Sequence, residues 1–83
     1  MNSLSLAQKA RRLSPYEECA GLSTDIAIEE EGLIARIGKV NLILPREMEP
    51  TMRKFMGQRI AILRTDIPSK QYIIRMILED LTN

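Results

Sequence analysis

Nine lysines and arginines, Arg36, Lys39, Arg46, Arg53, Lys54, Arg59, Arg64, Lys70 and Arg75, fall between Gly32 and Leu78 against three acids, Glu47, Glu49 and Asp66. Guanidinium and ammonium groups at this density attract phosphate oxygens, the arginines through paired N–H donors and the lysines as point charges. The counterweight lies elsewhere: residues 1–32 hold three bases and six acids, and Glu79 and Asp80 follow at the end, leaving +1 overall. Charge segregated in this way steers an anionic partner, nucleic acid or an acidic protein surface, toward the basic stretch. The candidate phosphate contacts are Arg36, Lys39, Arg46, Arg53, Lys54, Arg59, Arg64 and Arg75. Arg36, Arg59, Arg64 and Arg75 have a competing structural role, as strand residues whose stems cover apolar surface and whose heads pair with acids from residues 17–31.

Catalytic chemistry is poorly supplied. The sequence holds no histidine, which removes Ser-His and Cys-His nucleophile pairs and the commonest transition-metal ligand. Its four glycines, Gly21, Gly32, Gly38 and Gly57, stand singly, so no phosphate-binding glycine loop is present. The run Glu29-Glu30-Glu31 lacks the ligand spacing of a calcium loop and reads as a solvated acidic turn. Cys19 is the only cysteine, excluding an intramolecular disulfide and fitting a small buried apolar side chain in a reduced cytosol. No enzyme activity and no cofactor are expected. Neither an export signal nor an apolar run long enough to span a membrane is seen, so a cytoplasmic chain without membrane contact is expected.

The elements that must carry these charges begin with two expected helices. The first starts at Ser3 or Ser5 and continues through the stripe Leu6, Ala10 and Leu13. The second follows Ser14-Pro15-Tyr16-Glu17, where serine, proline and glutamate form a capping-box pattern, and stops near Ala20 before Gly21. From Asp25 the texture changes to short apolar runs between glycines and prolines. Strands are expected near 25–30, 33–37 and 40–44, joined by tight hairpins into an antiparallel meander. Glu49 to Gly57 reads as a two-turn helix with Pro50 at its start and Met52, Phe55 and Met56 on one face. Strands near 58–65 and 71–78 follow, turned by Asp66-Ile67-Pro68-Ser69.

The expected fold is mainly β with α: N-terminal short helices over 1–22, then a small five-stranded antiparallel barrel over 23–83 with a short helix between strands 3 and 4. In element order it resembles OB-like and Sm- or SH3-like small barrels, which implies oligonucleotide binding. Aromatic stacking has only Tyr72 and Tyr16 to draw on, because Phe55 lies on the buried helix face. The stretch from Gly38 through Pro45, the short helix ending at Gly57 and the strand Gln58 to Arg64 is also similar to swapped-hairpin DNA-binding regulators. That resemblance implies a dimer laying basic residues on DNA.

Several strands are apolar on both faces, with Tyr72, Ile74, Met76 and Leu78 on one side of the last and Ile73 and Ile77 on the other. The outer apolar residues need cover from the N-terminal helices or from another copy, so a homo-oligomer is expected. Together these readings describe a non-enzymatic small β-barrel binding module, associating with nucleic acid, DNA or RNA, through backbone phosphate contacts. The alternative is a protein-interaction or assembly subunit that works through apolar strand faces.

Overall fold

The computed structural model describes residues 9–78, which form five antiparallel strands in one sheet with a single short helix. The strands are β1 (Glu18–Glu29), β2 (Gly32–Ile37), β3 (Val40–Leu44), β4 (Arg59–Arg64) and β5 (Tyr72–Met76), and the sheet order is β3-β2-β1-β4-β5. Helix α1 (Glu49–Lys54) lies between β3 and β4 behind a 3₁₀ turn at Arg46–Met48, and a second 3₁₀ turn, Pro68–Lys70, precedes β5.

β1 organises the sheet. Its first half pairs with β4, from Glu18 opposite Leu63 to Leu22 opposite Arg59. Its second half pairs with β2, from Ser23 opposite Ile37 to Glu29 opposite Gly32, with a register shift between Ser23 and Asp25. Such a bulge bends a strand and lets it pass from one neighbour to another. β2 and β3 close a two-residue hairpin in which Ile37 faces Val40 and Gly38 takes φ +62°, the left-handed conformation that glycine adopts freely.

The β2–β3 hairpin and the two later strands stand where their residue patterns place them, whereas β1 begins at Glu18, seven residues before the expected start, and α1 ends at Lys54. Pro50 sits in the first turn of α1, and Gly57, with φ +83°, lies just beyond it and donates its N–H to the Ser23 carbonyl at 2.7 Å. Met52 is fully buried and Phe55 packs against the core, whereas Met56 is exposed. Leu33, Ala35 and Ile37 of β2, Leu42 and Leu44 of β3, Ile60 and Ile62 of β4, and Cys19 of β1 complete that core. Burial of each large aliphatic side chain contributes about 1.5–3 kcal/mol before entropy is counted.

Two expectations are corrected. Among the described residues the N-terminal helices are not found. Residues 1–8 of the first lie outside the described residues, and from Lys9 to Leu13 the chain is not helical: Arg11 bridges Leu42 in parallel, with Arg11 N–H on the Asn41 carbonyl and Ile43 N–H on the Arg11 carbonyl. Leu13, 1 % exposed, enters the core from this extended segment. The second helix is replaced by a turn and β1. Glu17 does reach back to the Ser14 N–H as a capping box requires (2.9 Å), but Tyr16 takes φ +68°, and the Glu17 carbonyl accepts the Arg64 N–H, sending the chain into the sheet. The sheet is also not closed into a barrel. The outer edge of β3 is bonded to Arg11, so it is occupied and cannot meet β5.

Candidate functional site

Four of the eight candidate phosphate contacts, Arg46, Arg53, Arg64 and Arg75, make hydrogen bonds or ion pairs within the fold. Arg46 donates to the Glu29 carbonyl at 2.7 Å and to the Glu30 carbonyl at 3.5 Å, so its guanidinium fastens the acidic β1–β2 turn. Arg53 pairs with Glu49 one helical turn earlier, at 2.6 Å. Arg75 meets Glu18 at 3.5 Å across β4. Arg64 donates to the Leu13 carbonyl at 3.0 Å and lies over the Tyr72 ring, 5.4 Å from its centroid, tying the N-terminal segment to β4 and β5. Arg36 is half-buried, opposite Asp25 on one side and Asn41 on the other. Arg59 opens β4 beside Leu22. Lys39, at the β2–β3 turn, and Lys54, at the end of α1, are exposed. By strand alternation Arg36, Arg59 and Arg75 lie on the sheet face opposite Ile37, Ile60, Ile62 and Ile74, Arg64 lies on the core face, and Lys39, Arg46, Arg53 and Lys54 stand on turns and the helix.

Of the two aromatic residues available for stacking, Tyr72 is engaged, whereas Tyr16 is 68 % exposed and only its hydroxyl is partnered. Tyr72 is half-buried beneath Arg64. The Tyr16 hydroxyl is hydrogen-bonded to Asp66, which, with a smaller contribution from desolvation, holds its pKa above the usual 10.0. Cys19 is buried on the core side of β1, and desolvation pushes its thiol pKa up, as suits a packing residue.

What the fold does assemble is a cleft of about 630 Å³ between α1 with its preceding turn and the β4–β5 connection. Pro45, Met48 and Phe55 form one wall, and Pro68, Tyr72 and Ile74 the other, with Glu47 and Lys70 among the polar lining groups. Roughly 300–1,000 Å³ is the size of ordinary binding sites, and an apolar lining with a few polar groups is their usual character. Both walls follow from local sequence. Pro50 starts α1, whose Met52 anchors it in the core and leaves Met48, Thr51 and Phe55 along the cleft. Thr65 shapes the opposite wall: its hydroxyl donates to the Lys70 carbonyl at 2.6 Å and accepts the Ile67 N–H at 3.0 Å, while its own N–H donates to the Gln71 carbonyl at 2.8 Å.

The cleft runs beside the outer edge of β5. Ile77 N–H donates to the Arg59 carbonyl, and Thr65 N–H to the Gln71 carbonyl. With Ile62 facing Ile74, these bonds assign the odd-numbered backbone groups of residues 71–77 to β4. The N–H and C=O groups of Tyr72, Ile74 and Met76 therefore point away from the sheet, and no hydrogen bond meets them there among the described residues. The contrast with β3 is direct, since its outer edge is covered by Arg11. β5 carries no proline or bulge, and its exposed side chains include Ile73, Met76 and, just beyond it, Leu78. Sequence inspection singles out the basic residues and misses this site because its walls, residues 45–55 and 68–74, are separated in the chain by β4 and carry no distinctive motif. The one visible sign is that 71–78 carries apolar residues on both faces.

No family model matches the sequence, and neither a curated protein nor a solved structure is found to match it.

Proposed function

We propose that this protein is a protein-interaction module that binds an extended polypeptide segment by strand addition to β5. The observation that carries this reading is the coincidence of a strand edge that is unpaired among the described residues with a cleft of mixed apolar and polar lining on the same side as Tyr72 and Ile74. An added strand takes main-chain hydrogen bonds from Tyr72, Ile74 and Met76. Every second side chain of that strand faces α1 and enters the cleft, which is how edge addition combines affinity with selectivity. The rival reading, phosphate contact by the basic residues, is weakened by the engagement of Arg46, Arg53, Arg64 and Arg75 within the fold.

The edge offers a clean test. The Ile74 N–H points out of the sheet, so Ile74→Pro deletes a donor that β4 does not use, and proline is tolerated on an edge strand whose N–H faces solvent. A fluorescein-labelled octapeptide of alternating valine and threonine serves as the probe. The expected result is anisotropy-detected binding that changes little with salt and is lost in Ile74→Pro and in Thr51→Arg, which fills the cleft, with circular dichroism unchanged. Equal binding by wild type and both variants overturns the reading.

A further inference from the structure

We infer that the strand added to β5 is β5 of a second copy of this chain, paired antiparallel about a two-fold axis through Ile74; this inference rests on the strand-addition reading above. β5 spans Tyr72–Met76, so Ile74 is its midpoint. A two-fold there sets Tyr72 opposite the second copy's Met76, and it pairs all three outward-facing residues of each strand.

The side chains are complementary in this register. Tyr72 and Ile74 line the cleft at the N-terminal half of the strand. Met76, 45 % exposed, shares their face but lies beyond the cleft, and Leu78, 79 % exposed, follows it. One strand thus carries a cleft in its first half and apolar knobs in and after its second. Antiparallel pairing lays the knobs of each copy against the cleft of the other, the self-complementarity a two-fold interface requires.

Charge selects the same register. Centred on Ile74, Arg75 faces the second copy's Ile73, and the Glu18 beside each Arg75 remains available to it. Moving the axis to Arg75 opposes two like charges, which is unfavourable directly across a ladder. Moving it to Ile73 leaves Met76 against Lys70, which lies in the 3₁₀ turn, outside the ladder. On the other face, Ile73 and Leu63 sit in one row, and the pairing extends this apolar strip across both copies.

The experiment uses a disulfide across the axis. Opposed residues of a hydrogen-bonded antiparallel pair lie about 5.5 Å apart at Cα, within the range a disulfide spans. In a Cys19→Ala background, Ile74→Cys is expected to form a covalent dimer with diamide much faster than Ile73→Cys, which is not self-opposed. Sedimentation equilibrium of the wild type is expected to show a dimer, and Met76→Glu to raise its dissociation constant at least roughly tenfold, near 1.4 kcal/mol. A wild type that stays monomeric at millimolar concentration, with no faster bridging at position 74, overturns the second-copy assignment. If that monomer binds the valine–threonine peptide, only the identity of the added strand has failed; if it does not, the strand-addition reading has failed with it.

Discussion

At the scale of single residues, the side chains with the most chemical character serve the fold. Glu17 is the clearest case. Its carboxylate accepts the Ser14 N–H at 2.9 Å and meets Arg11 at 2.9 Å, and these two contacts, the backbone bond first, hold its pKa below the ordinary 4.5. A depressed carboxylate stabilises the folded state above the unfolded-state value, and that contribution is lost as pH falls through the folded one. Glu17→Gln is therefore expected to flatten the decline of the melting temperature below pH 4.5 while leaving the neutral plateau's shape unchanged. An identical acid limb in wild type and variant would show that the turn is already released before Glu17 titrates. Arg64 makes the same point without titration, since its guanidinium holds Leu13 and Tyr72 in place. A motif scan counts such a residue as a free cation because its partners lie 51 and 8 positions away.

At the scale of elements, closeness of approach decides more than propensity. A Cβ on Gly21 would lie 2.9 Å from both Cα and N of Gly38, where the β2–β3 turn rests on β1 and Gly38 N–H donates to the Leu22 carbonyl at 2.8 Å. Backbone cannot swing aside as a side chain does, so Gly21→Ala is expected to cost about 1–3 kcal/mol through forced displacement of that turn. Urea unfolding measures it; a midpoint equal to wild type would mean the turn moves freely. This contact also explains which elements were legible in the sequence. β3 and α1 announce themselves through Gly38, Pro45, Pro50 and Gly57, whose backbone preferences agree with their positions. The first half of β1 does not, because its core-facing residues are Cys19, Gly21 and Ser23 while Leu22 faces out, so hydropathy fails to alternate with burial. There the local capping signal at Ser14–Glu17 was real, but tertiary pairing with Arg64 redirected it. Likewise the cleft joins residues 45–55 to 68–74 through sheet order, a quantity that no window of sequence contains.

At the scale of the whole molecule, folding undoes the charge segregation of the chain. β1, which carries Glu18, Asp25 and Glu29, is the central strand, and the bases of the later elements are laid on both sides of it. Glu18 meets Arg75, Asp25 stands opposite Arg36, and Arg46 and Arg12 donate to carbonyls of the acidic turn. A polarity that is plain along the sequence becomes a mixed surface in space, and a mixed surface focuses little field on a polyanion. Counterion release makes this measurable, since each phosphate neutralised on duplex DNA adds about −0.9 to the slope of log affinity against log salt, and about −0.7 on single strands. With Lys39 and Lys54 exposed and without an internal ion pair among the described residues, the expected slope for mixed-sequence oligonucleotides corresponds to about two phosphates or fewer, with weak binding even at low salt. Fluorescence anisotropy on single- and double-stranded DNA and RNA at a series of salt concentrations gives the number directly. A slope matching six or more phosphates would require some of Arg46, Arg53, Arg64 and Arg75 to exchange their internal partners for phosphate. That exchange would return the working surface to the basic residues and leave the open edge of β5 as a secondary feature.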